Sequence, residues 1–213
     1  MNKEIRSIAE LPILLRSEDG VETRTLEGYA VVFESRSEYM GFYETISRGA
    51  ITEELINNSD VVMCYNHDPS QMLARSRNGE GTLHLELDDH GLKFRFDVPN
   101  TSLGNDVLEL VKRGDLAGCS FAFAVDPSNP NAEKWEEDED GVLHRYIHEI
   151  AGLYDCSVVT YPAYPDTDVQ ARAQKAQEEI DEAKRQAEIA AEEQRVNALN
   201  EKHDALLAEI ETW

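Results

Sequence analysis

Three side chains able to carry acyl-transfer chemistry sit in or beside β-rich runs of this chain. They are His67 in Asn66-His67-Asp68, Ser120 in Cys119-Ser120-Phe121-Ala122-Phe123, and Asp155 in Asp155-Cys156-Ser157-Val158-Val159. A serine hydroxyl is a weak nucleophile until an imidazole takes its proton, and a carboxylate on the far ring nitrogen keeps that imidazole in the useful tautomer. A nucleophile, a base and an orienting acid, spread along the chain as folded active sites usually are, make a serine hydrolase the leading reading.

Each residue also has a plainer role open to it. Alternation along Cys119 to Val125 puts Cys119, Phe121, Phe123 and Val125 on one face and Ser120, Ala122 and Ala124 on the other. The small face leaves room for a substrate backbone against the hydroxyl, yet a strand serine can equally be satisfied by ordinary hydrogen bonds. No GxSxG elbow is present, which argues against an α/β-hydrolase. His67 closes the run Val61 to Tyr65, and Pro69 forces a turn just beyond it, so the ring belongs at a strand end near solvent. That place suits a base, and also a structural histidine. Asp155 lies in the apolar run Gly152 to Thr160 and needs a partner, either a histidine or an arginine, because an unpaired buried carboxylate is costly. His148, in Tyr146-Ile147-His148-Glu149-Ile150, is a rival for the third position. A metal site using His67, Asp68 and Asp155 is a further alternative, but the spacing matches no compact ligand motif; neither a metal nor a cofactor is expected. The three cysteines, Cys64, Cys119 and Cys156, each fall within three residues of one of the three chemical side chains and read as small apolar packing, with a catalytic thiol the lesser reading.

The elements that must hold these residues can be read from periodicity. Leu26 to Phe33, Val61 to Tyr65, Leu83 to Leu87 and Leu92 to Val98 read as strands, the last two joined by a turn at Asp88-Asp89-His90-Gly91. Thr52 to Asn58 and Asp106 to Arg113, the latter stopped by Gly114, read as short helices. The acidic burst from Glu133 to Asp140 reads as a solvated loop. From Asp166 onward the chain is rich in Ala, Glu, Gln, Lys and Arg with no Gly or Pro, a long-helix signature. Near its end Val196, Leu199, His203, Leu206, Ile210 and Trp213 recur at spacings of three and four, a short stripe suited to self-association or docking. The expected organisation is a domain over 1–165 and an acidic Ala/Glu-rich helical tail over 166–213.

A formal net charge of −23 over 213 residues disfavours a nucleic-acid partner and an acidic membrane surface. With no apolar run of spanning length and no apolar secretory segment at Met1-Asn2-Lys3-Glu4, the expectation is a cytosolic protein.

Six strings together resemble the prohead protease family of tailed bacteriophages, which is related in fold to the herpesvirus assemblins. They are Glu27-Gly28-Tyr29-Ala30-Val31-Val32-Phe33, Glu44 to Ile51, Asn66-His67-Asp68, Asp89-His90-Gly91-Leu92, Gly118 to Phe123, and Asp155 to Ala163. The resemblance covers roughly residues 26–165. It implies an α+β fold built on a partly closed antiparallel β-barrel of assemblin type, with short helices around it and the long C-terminal α-helix appended. It further implies a serine endopeptidase with His67 as base, Ser120 as nucleophile and Asp155 in the place where the herpesvirus relatives carry a second histidine. The paired arginines of the assemblin oxyanion hole have no counterpart after Val159, where Thr160-Tyr161-Pro162-Ala163 stands. The implied substrates are the major capsid protein or scaffold protein, and the enzyme itself, cut inside the assembling procapsid in the host cytoplasm; the implied assembly state is a homodimer. The competing expectation is a non-enzymatic scaffold protein of the procapsid, which the acidic charge and the helical tail would also suit.

Overall fold

Leu92, Phe94, Phe96 and Val98 are at most 3% exposed, so the period-two alternation that marks a strand here also marks the side that becomes core. The computed structural model describes residues 2–8, 13–18, 21–160 and 167–211, without the side chains of residues 7, 8, 18, 21, 22, 167–172 and 200–211. Along the chain the first strands are β1 (Glu4–Ile8), β2 (Leu14–Glu18), β3 (Val21–Val32) and β4 (Tyr43–Ile46). Helix α1 (Glu53–Asn58) is followed by β5 (Asp60–Tyr65), β6 (Asp68–Arg77), β7 (Glu80–Gly81), β8 (Leu83–Leu87) and β9 (Gly91–Asp97). Helix α2 (Ser102–Lys112) leads to β10 (Gly118–Ala124), β11 (Glu133–Glu137), β12 (Leu143–Ile147), β13 (Gly152–Val159) and the long helix α3 (Thr167–Glu211).

These strands form three sheets, ordered β1-β10-β13-β5-β6-β7, β11-β12-β4 and β2-β3-β9-β8. The fold is mixed α+β and mostly strand, and among the described residues no sheet closes on itself into a barrel. Pairing is not antiparallel throughout, as the family resemblance implied: β13 runs parallel to β5, and β12 parallel to β4. Period-two alternation reports which face is buried but not the direction of the neighbouring strand, and parallel partners need long crossovers. Here everything from Asn66 to Ala151 intervenes between β5 and β13.

Local signals explain the element ends. The Thr52 hydroxyl accepts from Leu55 N at 3.1 Å and caps α1, and the Thr101 hydroxyl accepts from Gly104 N at 3.1 Å and caps α2. Helix α2 therefore starts four residues before the expected Asp106, at the cap rather than at the first strongly helical stretch. The β8–β9 turn is held by Asp88, whose Oδ1 accepts from His90 N and Gly91 N. Gly91 is required there because a Cβ would lie 1.9 Å from the Val31 carbonyl oxygen.

The acidic run at Glu133 is a strand, not a loop. β11 pairs with β12 in the register Glu133↔Ile147, Trp135↔Arg145 and Glu137↔Leu143, and only the Asp138–Val142 turn is left over. One of its acids, Glu133, is taken up by the fully buried Arg145, which donates to Glu133 Oε2 at 2.6 Å and also to Glu4 Oε2 at 2.6 Å and Glu44 Oε2 at 2.7 Å. Arg6 joins the same cluster, donating to Glu44 Oε1 at 2.7 Å and Oε2 at 2.9 Å and to Glu4 Oε2 at 3.0 Å. Burial raises the pKa of Glu44, but the two guanidiniums outweigh it and the carboxyl stays below its ordinary value. This cluster ties β1 to β4, β11 and β12.

Two compact units emerge, residues 1–171 and 172–213. In the second, α3 runs unbroken with Val196 and Leu199 both exposed; the side chains of His203, Leu206, Ile210 and Trp213, the rest of the expected stripe, lie outside the described residues. Among the described residues no helix is long and apolar enough to cross a membrane.

Candidate active site

His67 is delivered by a turn. β5 and β6 pair down to Tyr65↔Asp68, which leaves Asn66 and His67 as a two-residue hairpin loop with φ of 51° and 59°. Two left-handed residues in succession define a type I′ turn, the form whose twist matches the flanking strands. Asn tolerates this conformation, and His is also enriched in it. Asn66 pins the turn to the end of β13: its N donates to Val158 O at 2.9 Å, and its Oδ1 accepts from Thr160 N at 3.0 Å.

Ser120 sits in β10 between β1 and β13, directly opposite Ser157, and Ala122 lies opposite Asp155. In antiparallel pairs such neighbours share a face, so β10 and β13 present Ser120, Ala122, Asp155 and Ser157 to one side. The His67 ring closes the set. Its Nε2 lies 2.7 Å from Ser120 Oγ and its Nδ1 lies 2.6 Å from Asp155 Oδ1. The three residues singled out in the sequence are thus joined in one hydrogen-bonded chain. His148 stands elsewhere, its Nδ1 2.8 Å from Ser47 Oγ.

Asp155 is almost wholly buried, its side chain 4% exposed. Burial pushes its pKa up, but hydrogen bonds and charge from His67 and Lys3 outweigh that, and the carboxyl ends below its usual value. Lys3 Nζ donates to Oδ2 at 2.6 Å and Ser157 Oγ to Oδ1 at 3.0 Å. Neither partner is among the residues singled out from the sequence. Ser157 has a signal, since it lies two residues from Asp155 on the same strand face; Lys3, 152 residues away, has none.

Two other readings lack the geometry they need. Asp68 spends its carboxylate on its own strand, accepting from Ser70 N at 2.9 Å, Ser70 Oγ at 2.6 Å and Gln71 Nε2 at 3.0 Å, so His67, Asp68 and Asp155 do not converge. The three cysteines are all buried and free. Burial lifts the thiol of Cys64 to about 11 and that of Cys119 to about 12, and that of Cys156 well above its ordinary value, so none is a thiolate at neutral pH.

The expected open floor beside Ser120 is not open. Ser120, Ala122 and Ala124 are all fully buried. Both faces of β10 are packed, and the Ser120 hydroxyl is itself engaged: the Arg6 carbonyl of the neighbouring β1 accepts from Oγ at 2.8 Å and the His67 ring lies 2.7 Å away.

The sequence profile described as caudovirus prohead serine protease matches residues 12–182. The chain belongs to this family. Prohead proteases are serine endopeptidases of capsid maturation, and that is the activity of this chain. Among solved structures, the bacteriophage T4 capsid assembly protease is similar at 11% identity with a TM-score of 0.47, over 75% of this chain and 98% of the other. No curated protein matches.

Proposed function

We propose that the protease cuts with His67 as general base, Ser120 as nucleophile and Asp155 as the group that orients and charge-balances the ring. The observation that carries this reading is the chain of contacts Ser120 Oγ to His67 Nε2 at 2.7 Å and His67 Nδ1 to Asp155 Oδ1 at 2.6 Å. With Asp155 anionic and accepting, the ring proton sits on Nδ1, and Nε2 is left to take the serine proton. Attack on a peptide carbonyl gives an acyl-enzyme; His67 passes the proton to the leaving amine, then activates the water that releases the acyl group. Lys3 and Ser157 hold Asp155 ionised and fixed in aim through both steps.

The substrates in this reading are capsid or scaffold protein segments within the procapsid, and the enzyme's own chain. The helical tail over 166–213 serves as the recruiting segment, and the working form is a homodimer. Coexpression of the full chain with its cognate capsid protein tests the reading: wild type shortens the capsid protein and Ser120→Ala does not, with turnover reduced ~10⁴- to 10⁶-fold. Equal shortening by both refutes the assignment of Ser120.

A further inference from the structure

Acids outnumber bases 43 to 20 in this chain, so a cation without a carboxylate is unusual in it. Of the lysines and arginines whose side chains are described, all but two make a hydrogen bond, an ion pair or a ring contact. The two are Lys93 and Arg95, and both stand on β9. Leu92, Phe94 and Phe96 alternate with them and are core, so the two cations leave the outer face of the sheet β2-β3-β9-β8. Each has an acid across from it, Glu27 opposite Arg95 and Glu86 opposite Lys93. Neither acid closes an ion pair with its neighbour. A third, Asp97, gives Oδ1 to the Thr25 hydroxyl at 2.7 Å.

This face is hollow where the cations stand. Two adjoining cavities of about 330 and 530 Å³ share Arg16, His84 and Arg95 as walls, and Lys93 lines the smaller. None of His67, Ser120 and Asp155 lines either one. A guanidinium offers a rigid fork of donors that matches a carboxylate, and an ammonium takes one as a point charge. A carboxylate guest therefore supplies the partner that the chain's own acids do not. Walls drawn from four strands enclose more than one carboxylate or phosphate fills, which calls for a segment of chain. Spacing sets its form. Alternate residues of a strand lie roughly 7 Å apart on one face, so an extended peptide meets Lys93 and Arg95 together when its carboxylates occupy alternate positions. Adjacent carboxylates point to opposite sides, and only one of them reaches the face.

We propose that the outer face of β2-β3-β9-β8 is a docking site for an extended acidic segment of a partner protein, whose carboxylates at alternate positions pair with Lys93 and Arg95. The site is separate from the triad and does not depend on it.

Fluorescence anisotropy on the full chain tests this with two labelled peptides of equal composition. In one, Glu and Ser alternate; in the other, adjacent pairs of Glu are separated by pairs of Ser, so that no two Glu are two residues apart. The overall negative charge repels both alike, and the difference between them reports the local pairing. The alternating peptide binds at least about threefold more tightly, and Lys93→Gln with Arg95→Gln weakens it at least about fivefold and erases the difference. Glu27→Gln with Glu86→Gln, which removes the nearby acids, tightens it. Urea midpoints unchanged in both variants confirm that the sheet is intact. No binding, equal binding of the two peptides, or binding indifferent to the loss of Lys93 and Arg95 overturns the site. No gain in Glu27→Gln with Glu86→Gln overturns the charge account of it. Displacement of the alternating peptide by an equimolar amount of inorganic phosphate assigns the hollow to a small anion and overturns the peptide.

Discussion

Replacing Asp155 by asparagine changes one carboxylate oxygen to an NH₂ group at almost no cost in volume, and the donors around it set the outcome. Oδ1 now accepts from His67 Nδ1 at 2.6 Å and Ser157 Oγ at 3.0 Å, while Oδ2 takes the Lys3 ammonium at 2.6 Å. An amide has one oxygen for these two sets of donors. The charged donor makes the stronger bond, so Lys3 claims the oxygen and the NH₂ group turns to His67. Nδ1 must then accept, the ring proton moves to Nε2, and Ser120 loses its base. A wrong tautomer of this kind costs ~10⁴ in kcat in a Ser-His-Asp protease, or about 5.4 kcal/mol of transition-state stabilisation. Lys3 is 44% exposed, so Lys3→Met leaves no large void and removes the competing donor. In the Asp155→Asn background it lets the amide oxygen swing back to Nδ1–H and Ser157, recovering roughly tenfold or more. The assay is a double-mutant cycle on the rate at which a fluorophosphonate labels Ser120, with Lys3→Met alone correcting for any effect on β1. If Asp155→Asn stays within about tenfold of wild type, Asp155 does not set the tautomer. A double variant no faster than Asp155→Asn refutes the part assigned to Lys3.

The buried charges and thiols set three further outcomes. Arg145→Leu removes the guanidinium that Glu4, Glu44 and Glu133 share; it costs about 3–5 kcal/mol and lowers Tm by roughly 6–20 °C for a chain of this size, and a calorimetric shift under about 2 °C contradicts a structural role for this cluster. Asp155 and Glu44 both have pKa values lowered in the folded state, so the stability they contribute is complete above their unfolded values of about 3.9 and 4.3 and is lost as pH falls through the lower folded values. Urea midpoints measured from neutral pH down to about pH 3 fall steeply in wild type and less so in Glu44→Gln; parallel curves sink this account. With all three thiols pushed up by burial, a disulfide reagent at about pH 8 leaves the folded protein unmodified and titrates Cys64, Cys119 and Cys156 only after denaturation; rapid native reaction at Cys119 would reopen the thiol reading.

The site was legible in the sequence to the extent that its chemistry is local. Pro69 signals a turn near His67, but the turn is made by Asn66 and His67 themselves and Pro69 lies inside β6; the alternation around Ser120 and Asp155 places both on strands. The solvated-loop reading of Glu133 to Asp140 holds for the exposed turn at Asp138 to Asp140 but fails over Glu133–Glu137, which form a strand, for a nonlocal reason. A run of acids looks solvated until a buried arginine is found opposite it, and Arg145 reaches Glu133, Glu4 and Glu44 from three different elements. The expected open floor at Ser120 fails in the same way: small residues show that a face can be approached closely, but not that the chain's own β1 is what approaches it.

The sequence alone determines the residue types, the periods of the strands and helices, and the family, since each is written in short strings of neighbours. Tertiary structure decides who meets whom. Parallel pairing of β13 with β5 carries Asp155 beneath His67 across 88 residues, the N-terminal strand brings Lys3 to Asp155 and the Arg6 carbonyl to Ser120, and the guanidinium cluster locks that strand down. Those contacts join segments far apart along the chain, and hydrogen bonding and charge balance in a buried space select them, which no local pattern encodes.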